Sequence, residues 1–364
     1  MKAQKPKKYL WILSTLLPLV GLSGIVLYQQ TQQALMLLVP LVFIYVVIPL
    51  LDLLFSTDES NPNEEQVAVL EKASYYNWIL YLMLPVHFFV FFYFIHFMVS
   101  QPLELWMQAV LLFTLGVFGG LAVNLGHELG HKKDRLSKNL AKLALASGAY
   151  GHFNIEHNAG HHRQVATPED TASARLGESI YRFALRELPG GLKRAWRIEI
   201  QRLARNDLPW YSTDNQILHS NLMTLVLYVG VTLVFGWLGL LIVVLHTPIV
   251  WWQLTSANYI EHYGLLRQKN GKDQYERCEP WHSWNSNHLI SNLVLFHLQR
   301  HSDHHANPSR HYQSLRHFEQ APQLPTGYMG MFLLAYIPPL WFKVMDKKVL
   351  NLYRGDRKLA NCRK

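Results

Sequence analysis

The chain has 364 residues, of which 50% are hydrophobic and only 16% are charged, and its formal net charge is +9 at pH 7. Soluble globular proteins carry about a quarter charged residues. Four long windows, 9–51, 73–103, 105–127 and 215–260, contain no Asp, Glu, Lys or Arg. Each is at least as long as the roughly 20 apolar residues that cross a bilayer. This pattern excludes a soluble enzyme and a disordered chain, and it predicts an integral membrane protein.

The apolar windows predict six transmembrane helices in three hairpins. The polar stretch 29–33 divides the first window, and Gly236 to Gly239 divides the last. The basic segment 1–8 is not followed by a short apolar core with a cleavage site, so an uncleaved first span is expected. The predicted spans lie near 9–28, 34–54, 75–99, 104–125, 217–235 and 238–257. The short apolar stretch 328–342 contains a Pro-Pro pair and is predicted to be interfacial or buried.

The basic residues predict how these helices are oriented. Lys and Arg number four in 1–8, one at Lys72, fourteen in 132–205 and fifteen in 267–364, and the short hairpin turns contain none. Loops rich in Lys and Arg stay in the cytoplasm, which explains the basic charge without a nucleic-acid partner. Both termini and the segments 126–216 and 258–364 are therefore expected on the cytoplasmic side of a bacterial inner membrane. The expected fold class is all-α, a single polytopic membrane domain over 1–364 with a cytosolic histidine-rich cap.

Nineteen histidines include three clusters, one at the end of the fourth predicted span and two in the predicted cytosolic segments. Residues i and i+4 lie on one face of a helix, so each cluster is expected to present two or three imidazoles to one point. A further histidine, His262, follows the last predicted span. The clustered histidines are His127, His131, His157, His161, His162, His301, His304 and His305. Imidazole binds zinc, copper, iron and nickel, so these nine histidines predict a metal centre.

Several metal functions compete for this centre. The segment His127–His131 is a literal HExxH, the zinc-protease signature, with Glu128 as general base. Such a zinc site uses three protein ligands and leaves six of the nine histidines without a role. A histidine-rich metal transporter is disfavoured, because its ligands would lie near the membrane midplane. Nine imidazoles suit two irons with open positions, and iron activates dioxygen, which redox-inactive zinc does not.

The remaining sequence predicts that electrons come from another protein. The two cysteines, Cys278 and Cys362, form neither a disulfide framework nor a cysteine-bound cluster, and no GxGxxG nucleotide-binding segment is present. A membrane di-iron enzyme that activates dioxygen and receives its substrate from the lipid is the interpretation that the residues favour.

Four segments together resemble the motifs of the membrane alkane 1-monooxygenases. Three of them are histidine boxes that membrane desaturases and other hydroxylases share: HELGHK at 127–132, EHNAGHH at 156–162 and LQRHSDHH at 298–305. The fourth, NYIEHYGL at 258–265, narrows the resemblance to the alkane hydroxylases. A fatty-acyl desaturase or a xylene-type hydroxylase is the alternative.

The resemblance implies the reaction and its partners. The expected activity is terminal hydroxylation of linear alkanes to primary alcohols with O2. Electrons would come from a rubredoxin reduced through an NAD(P)H-dependent reductase. The chain ends without the cysteine pairs of a fused rubredoxin, so a separate rubredoxin is expected.

The resemblance also implies the site residues. The expected ligands of two non-heme irons, and hence the catalytic residues, are His127, His131, His157, His161, His162, His262, His301, His304 and His305. Carboxylates in or near the boxes are expected to orient the imidazoles: Glu128, Glu156, Asp170, Glu261 and Asp303. The alkane channel is expected to be lined by Leu37, Val42, Phe43, Tyr45, Ile48, Trp251, Trp252 and Leu254. A docking face for the donor is expected at Lys132, Lys133, Arg135, Arg300 and Arg310.

Overall fold

The computed structural model describes residues 5–55 and 57–362, which form helices and connecting segments with isolated β-bridges and no sheet. In chain order the α-helices are α1 (Lys5–Leu10), α2 (Ile12–Val20), α3 (Ser23–Thr31), α4 (Val39–Val42), α5 (Ile48–Leu54), α6 (Glu64–Lys72), α7 (Ser74–Ser100), α8 (Leu105–Gly130), α9 (Arg135–Ala146), α10 (Phe153–Ile155), α11 (His162–Gln164), α12 (Ile180–Ala204), α13 (Gln216–His262), α14 (Leu289–Val294), α15 (His301–Ala306), α16 (Tyr328–Ala335) and α17 (Pro338–Leu352). Two π-helical turns occur at Phe43–Val47 and Glu156–His161. Short 3-10 turns occur at Ala34–Leu38, Pro280–His282, Tyr312–Ser314 and Arg357–Leu359. The predicted all-α class is confirmed.

Four to six helical segments of the described chain have the length and composition of membrane spans. The four that qualify alone are Ala34–Leu54, Ser74–Ser100, Leu105–Gly130 and Gln216–His262. Two bent helix pairs also qualify if each is counted as one span. The first pair, within 7–31, bends by 49°, and the second, within 328–352, bends by 118°. The polytopic membrane fold is thus supported, while the count of six and the cytosolic cap stay predictions.

The longest helix, α13, is interrupted where the sequence predicts a turn between two spans. A straight helix of its 47 residues would be about 70 Å long, more than twice the hydrocarbon thickness of a bilayer. The backbone leaves the helical region at Gly236, with φ 69° and ψ −168°. Glycine adopts this conformation without the strain that a Cβ would cause. The predicted division near Gly236 therefore agrees with the backbone.

Helices α8 and α13 approach each other closely along the part that leads to the histidines. A Cβ at Gly119 of α8 would lie only 2.6 Å from Cγ2 of Val250 of α13, so the backbone of α8 can contact α13 only because glycine has no side chain. His127 lies in the last turn of α8, and His262 is the last residue of α13. Their close packing brings the ends of both helices, and hence these histidines, to one place.

Candidate metal centre

Nine histidine side chains converge in two adjacent groups. The ligand nitrogens of the first group lie within 4.8 Å of one another and belong to His127, His131, His157 and His304. The same limit holds for the second group, which consists of His161, His262, His301 and His305. The ninth side chain, His162, joins the first group, because its Nε2 lies 3.0 Å from Nε2 of His157 and 3.1 Å from Nε2 of His304. The structure thus brings all nine predicted histidines together as five and four.

The sequence predicts that the imidazoles of each box meet at one point, but the structure distributes the histidines of the second and third boxes over both groups. In the second box the chain forms a π-helical turn, Glu156–His161. Its wider turn places His157 and His162, five residues apart, in one group and directs His161 to the other. The third box is divided as well, since His304 belongs to the first group and His301 and His305 to the second. Each group therefore takes side chains from several boxes.

Burial keeps five of the imidazoles outside the membrane-spanning helices uncharged, whereas the neighbouring carboxylate of Asp170 raises the pKa of His161. Burial, followed by the charges of neighbouring imidazoles, lowers the pKa well below its ordinary value for His157, His162, His301, His304 and His305. Neutral imidazole is the form that binds a metal ion. These side chains are consequently ready to bind metal at neutral pH without first losing a proton.

The arrangement of the nitrogens fits two metal ions. The Nε2 atoms of neighbouring histidines face one another at short distances, for example 3.1 Å between His127 and His304 and 2.9 Å between His301 and His305. Nε2 of His161 is buried and has no hydrogen-bond partner among the described residues. Buried polar nitrogens normally have partners. Two cations, one in each group, would provide them, and an all-imidazole ligand set suits iron as well as zinc or copper.

Asp170 orients one histidine of the second group. Its Oδ2 accepts a hydrogen bond of 2.8 Å from Nδ1 of His161, which directs Nε2 of that ring towards the group. Ser173 and Arg194 also donate to this carboxylate, at 2.6 and 2.8 Å. Burial by itself would raise the pKa of Asp170, but the charges and hydrogen bonds of His161 and Arg194 outweigh it and hold the pKa well below its usual range. Asp170 therefore stays ionised.

Asp170→Asn is expected to weaken metal binding in the second group by about 10- to 100-fold, the usual cost of losing a partner of a metal-bound histidine. The loss is measured as iron retained by the purified protein against increasing chelator. Glu169→Gln is the matched control, because this neighbouring carboxylate is exposed and accepts its hydrogen bond from Tyr275. Equal iron retention in the two variants would contradict the role of Asp170.

Glu261 lies on the inner side of the second group. Its Oε2 is 3.2 Å from Nε2 of His301, the same atom that faces the other histidines, and its Oε1 accepts a hydrogen bond of 2.9 Å from the Tyr328 hydroxyl. Nδ1 of His301, the distal nitrogen that an orienting carboxylate would contact, has no partner among the described residues. Glu261 is thus placed beside the centre itself.

The other three predicted carboxylates contact groups other than the nine histidines. Glu156 forms an ion pair with Arg194, and burial raises its pKa although the charge of Arg194 opposes the shift. Asp303 accepts hydrogen bonds of 2.7 Å from Arg310, and Glu128 accepts one of 3.4 Å from the backbone N–H of Tyr312. Through these partners the three carboxylates connect the boxes to other segments of the chain.

The sequence did not predict three groups that support the centre. Arg194 links Asp170 to Glu156 from helix α12. The carbonyl of His282 lies 3.2 Å from Nδ1 of His262, and the hydroxyl of Tyr328 donates to Glu261. No local pattern distinguishes Arg194 among 34 basic residues, because its partners come close only through the tertiary fold.

A largely apolar cavity adjoins both histidine groups. Its wall near the centre includes His127, His157, His301 and Glu261. Apolar side chains from four parts of the chain form much of the rest, among them Ile44, Phe118, Leu254, Ala257 and Phe332. An apolar cavity that ends at a metal site is suited to hold a hydrocarbon with one end at the metal.

Most of the predicted channel residues lie outside this cavity. Of the eight predicted residues, only Leu254 is among the residues that line it. In the second predicted span, near 34–54, the lining residue is Ile44, which was not predicted. Val42 is 48% exposed on the outer surface, and Tyr45 bonds to Gln253 through its hydroxyl. The prediction chose bulky side chains of the second and sixth predicted spans, and the lining of this cavity shows that bulk alone did not identify the residues that face it.

Comparisons with known proteins agree with the four motifs. The fatty acid desaturase family profile matches residues 104–335, which contain all four. An alkane 1-monooxygenase of Ectopseudomonas oleovorans is 51% identical over 351 residues, which cover 96% of this chain and 87% of the relative. Alkane 1-monooxygenase 1 of Alcanivorax borkumensis is 49% identical over 350 residues, with the same coverage. The hydroxylase component of a xylene/toluene monooxygenase of Pseudomonas putida is 27% identical over 268 residues, covering 72% of this chain and 70% of the relative.

Proposed function

The chain belongs to the alkane 1-monooxygenases of the fatty acid desaturase family, and we propose that its nine histidines hold two iron ions. This membership confirms the resemblance of the four motifs. The protein is an oxidoreductase that hydroxylates the terminal carbon of alkanes. The observation that carries the proposal of two irons is the pair of imidazole groups, five and four, that meet at the end of an apolar cavity.

The reaction consumes one alkane, one O2, two electrons and two protons, and it yields a primary alcohol and water. Iron held by the two groups would supply dioxygen activation, which no amino-acid side chain provides. The protein itself contributes placement and exclusion of water. The apolar cavity binds the hydrocarbon, and its wall at His127, His157 and His301 holds the chain end next to the centre. Positioning of this kind lowers a large part of a reaction barrier.

The two electrons are proposed to come from a separate rubredoxin, reduced through an NAD(P)H-dependent reductase. The structure narrows the basic docking face that the sequence predicts. Arg300 is 1% exposed, and its guanidinium donates to the backbone carbonyls of Asp58, Ser60 and Leu315, so it is structural. Lys132 is also buried.

Of the five predicted docking residues, Lys133 and Arg135 are on the surface and have no structural role of this kind. Arg310 pairs with Asp303, whereas Lys133 and Arg135 are exposed and follow the first box. An acidic rubredoxin would contact these two side chains. The distribution of Lys and Arg supports termini and a centre on the cytoplasmic side of the inner membrane.

Related chemistries are less well supported. The xylene-type relative is far less similar than the alkane hydroxylases, at 27% against about 50% identity. A zinc protease built on His127, Glu128 and His131 would use a small part of the ligand set, because three further histidines belong to the same group.

Metal analysis of the detergent-purified protein, combined with n-octane turnover in the presence of a rubredoxin and its reductase, tests the proposal. We expect about two irons per chain, one for each imidazole group, and octan-1-ol as the product. A double bond or a benzylic alcohol from a suitable substrate would favour the related chemistries. One zinc per chain without oxygen consumption would contradict a di-iron centre.

A further inference from the structure

Helix α12 carries an exposed apolar stripe although it is too polar to cross a membrane. Leu185 is 80% exposed, Leu192 42% and Ile200 44%. Their spacing of seven and eight residues places them along one side of a helix. The opposite side is buried and includes Phe183, Glu187 and Arg194, the last of which supports the metal centre. The stripe therefore faces away from the protein over most of the helix.

A row of basic residues runs beside this stripe. Arg182, Lys193 and Arg197 are exposed, and their spacing of eleven and four residues places them on adjoining parts of the same side. The ion pairs of α12 are formed by other residues, namely Arg186, Arg194 and Arg202. The helix thus presents an apolar stripe and a basic row next to each other.

Helix α13 is interrupted at Gly236 and so forms a hairpin. Both ends of α12 contact parts of α13 that lie at the end of this hairpin opposite its turn. At the start of α12, the Tyr181 ring stacks on Trp252, with ring centroids 5.6 Å apart. At the other end, the carboxylate of Glu199 accepts a hydrogen bond from the backbone N–H of Gln216, the first residue of α13. Since the turn of this hairpin lies at Gly236, α12 extends across the end opposite the turn, where the helices leave the membrane.

Two exposed aromatic residues follow the end of α12 in the chain. Trp210 is 56% exposed and Tyr211 is 67% exposed, and both precede the start of α13 by only a few residues. Tryptophan and tyrosine are enriched at the boundary between acyl chains and headgroups. The surface formed by α12 and this aromatic pair has the composition of a helix that lies in the membrane interface.

We propose that α12 lies in the interfacial layer of the bilayer, with its apolar stripe among the acyl chains and its basic row on the phosphates of anionic phospholipids. Anionic lipids of the cytoplasmic leaflet attract Lys and Arg near the membrane surface. An acidic protein would match the basic row, but it would leave Leu185 and Leu192 without apolar contacts. The segment 126–216, predicted as cytosolic, would then be partly embedded. The helix that supplies Arg194 to the metal centre would rest on the membrane.

Spin-label accessibility of the full-length protein in nanodiscs tests this placement. Nitroxide labels are attached at Leu185→Cys, Leu192→Cys and the control Gln201→Cys, which is exposed off the stripe, in a Cys278→Ala, Cys362→Ser background. At the two leucine positions, collisions with lipid-soluble O2 should exceed those with an aqueous nickel chelate severalfold, and the control should show the reverse. Alkane turnover of each labelled protein verifies its fold. Leucine labels that collide mainly with nickel, or with neither reagent because a second copy or another protein covers them, would overturn the proposal.

The basic row is tested separately by changing the lipid charge. Nanodiscs of phosphatidylcholine alone are compared with nanodiscs that also contain phosphatidylglycerol. The Leu192→Cys label should move deeper when the anionic lipid is present. The combined Arg182→Gln, Lys193→Gln and Arg197→Gln variant should lose this response, while Lys343→Gln serves as a charge control on helix α17. A response that persists in the combined variant, or no response to the anionic lipid in the unmodified chain, would overturn the assignment of the basic row to phosphate headgroups.

Discussion

His262→Ala is expected to abolish alkane hydroxylation and to remove about one of the two irons, because metal affinity follows from a complete ligand set. His262 is fully buried, and its Nε2 lies 3.1 Å from Nε2 of His301 in the group of four. Removal of a residue that is hydrogen-bonded to a metal-bound histidine lowers metal affinity or activity by about 10- to 100-fold. Removal of the histidine ligand itself should therefore exceed this range. Iron content and n-octane turnover are the measurements.

The control for this variant is another histidine of the same segment. His288 is partly buried, bonds to Ser286 through its ring and belongs to neither metal group. His288→Ala should keep its iron and its turnover. Both variants should be found in the membrane fraction, because neither substitution introduces a charge into an apolar span. Full turnover by His262→Ala would show that the fourth motif does not supply a ligand.

Ala257→Phe should strongly reduce hydroxylation of linear alkanes without removing iron. Ala257 lines the apolar cavity and lies four residues before Glu261, on the same face of α13. A phenyl ring at this position would occupy space that the alkane needs next to the centre. Misfits in apolar pockets cost about 10- to 200-fold in kcat/KM, and a whole ring should reach the upper part of this range.

The comparison variant for the cavity is Ala257→Ser, which leaves nearly the same space open. It should hydroxylate n-octane within a few-fold of the unmodified protein. Measurements of kcat/KM for alkanes of increasing length, together with iron content, separate a blocked cavity from a damaged centre. Unchanged turnover by Ala257→Phe, with iron in place, would mean that the alkane binds elsewhere.

The structure also separates two kinds of carboxylate that look alike in the sequence. Asp170 contacts the distal Nδ1 of His161, whereas Glu261 contacts the metal-facing Nε2 of His301. The first position orients a ligand, and the second borders the reaction space and the cavity. Changes at these two residues should therefore differ in kind: Asp170→Asn acts on iron retention, and a change at Glu261 acts beside the substrate.

The membrane class, the helical fold and the set of histidines could be predicted from the amino-acid sequence. These properties are local or compositional: windows without charge are long enough to cross a bilayer, and the four motifs are contiguous segments. The break of α13 was also predictable, because the Gly236 turn lies within a long apolar window. Eight of the nine histidines could be selected from nineteen because they occur in clusters at helical spacing, and His262 because it lies in the fourth motif.

The way in which these residues combine into two groups depends on tertiary contacts that no local pattern contains. The contact between His127 and His304 joins positions 177 residues apart, and Arg194 meets Glu156 across 38 residues. The π-helical turn Glu156–His161 departs from the regular helical period and separates His161 from His157, and the residues that line the cavity come from several helices. Spacing rules describe one regular helix at a time, whereas the two groups and the cavity arise from packing between helices and from their irregular turns.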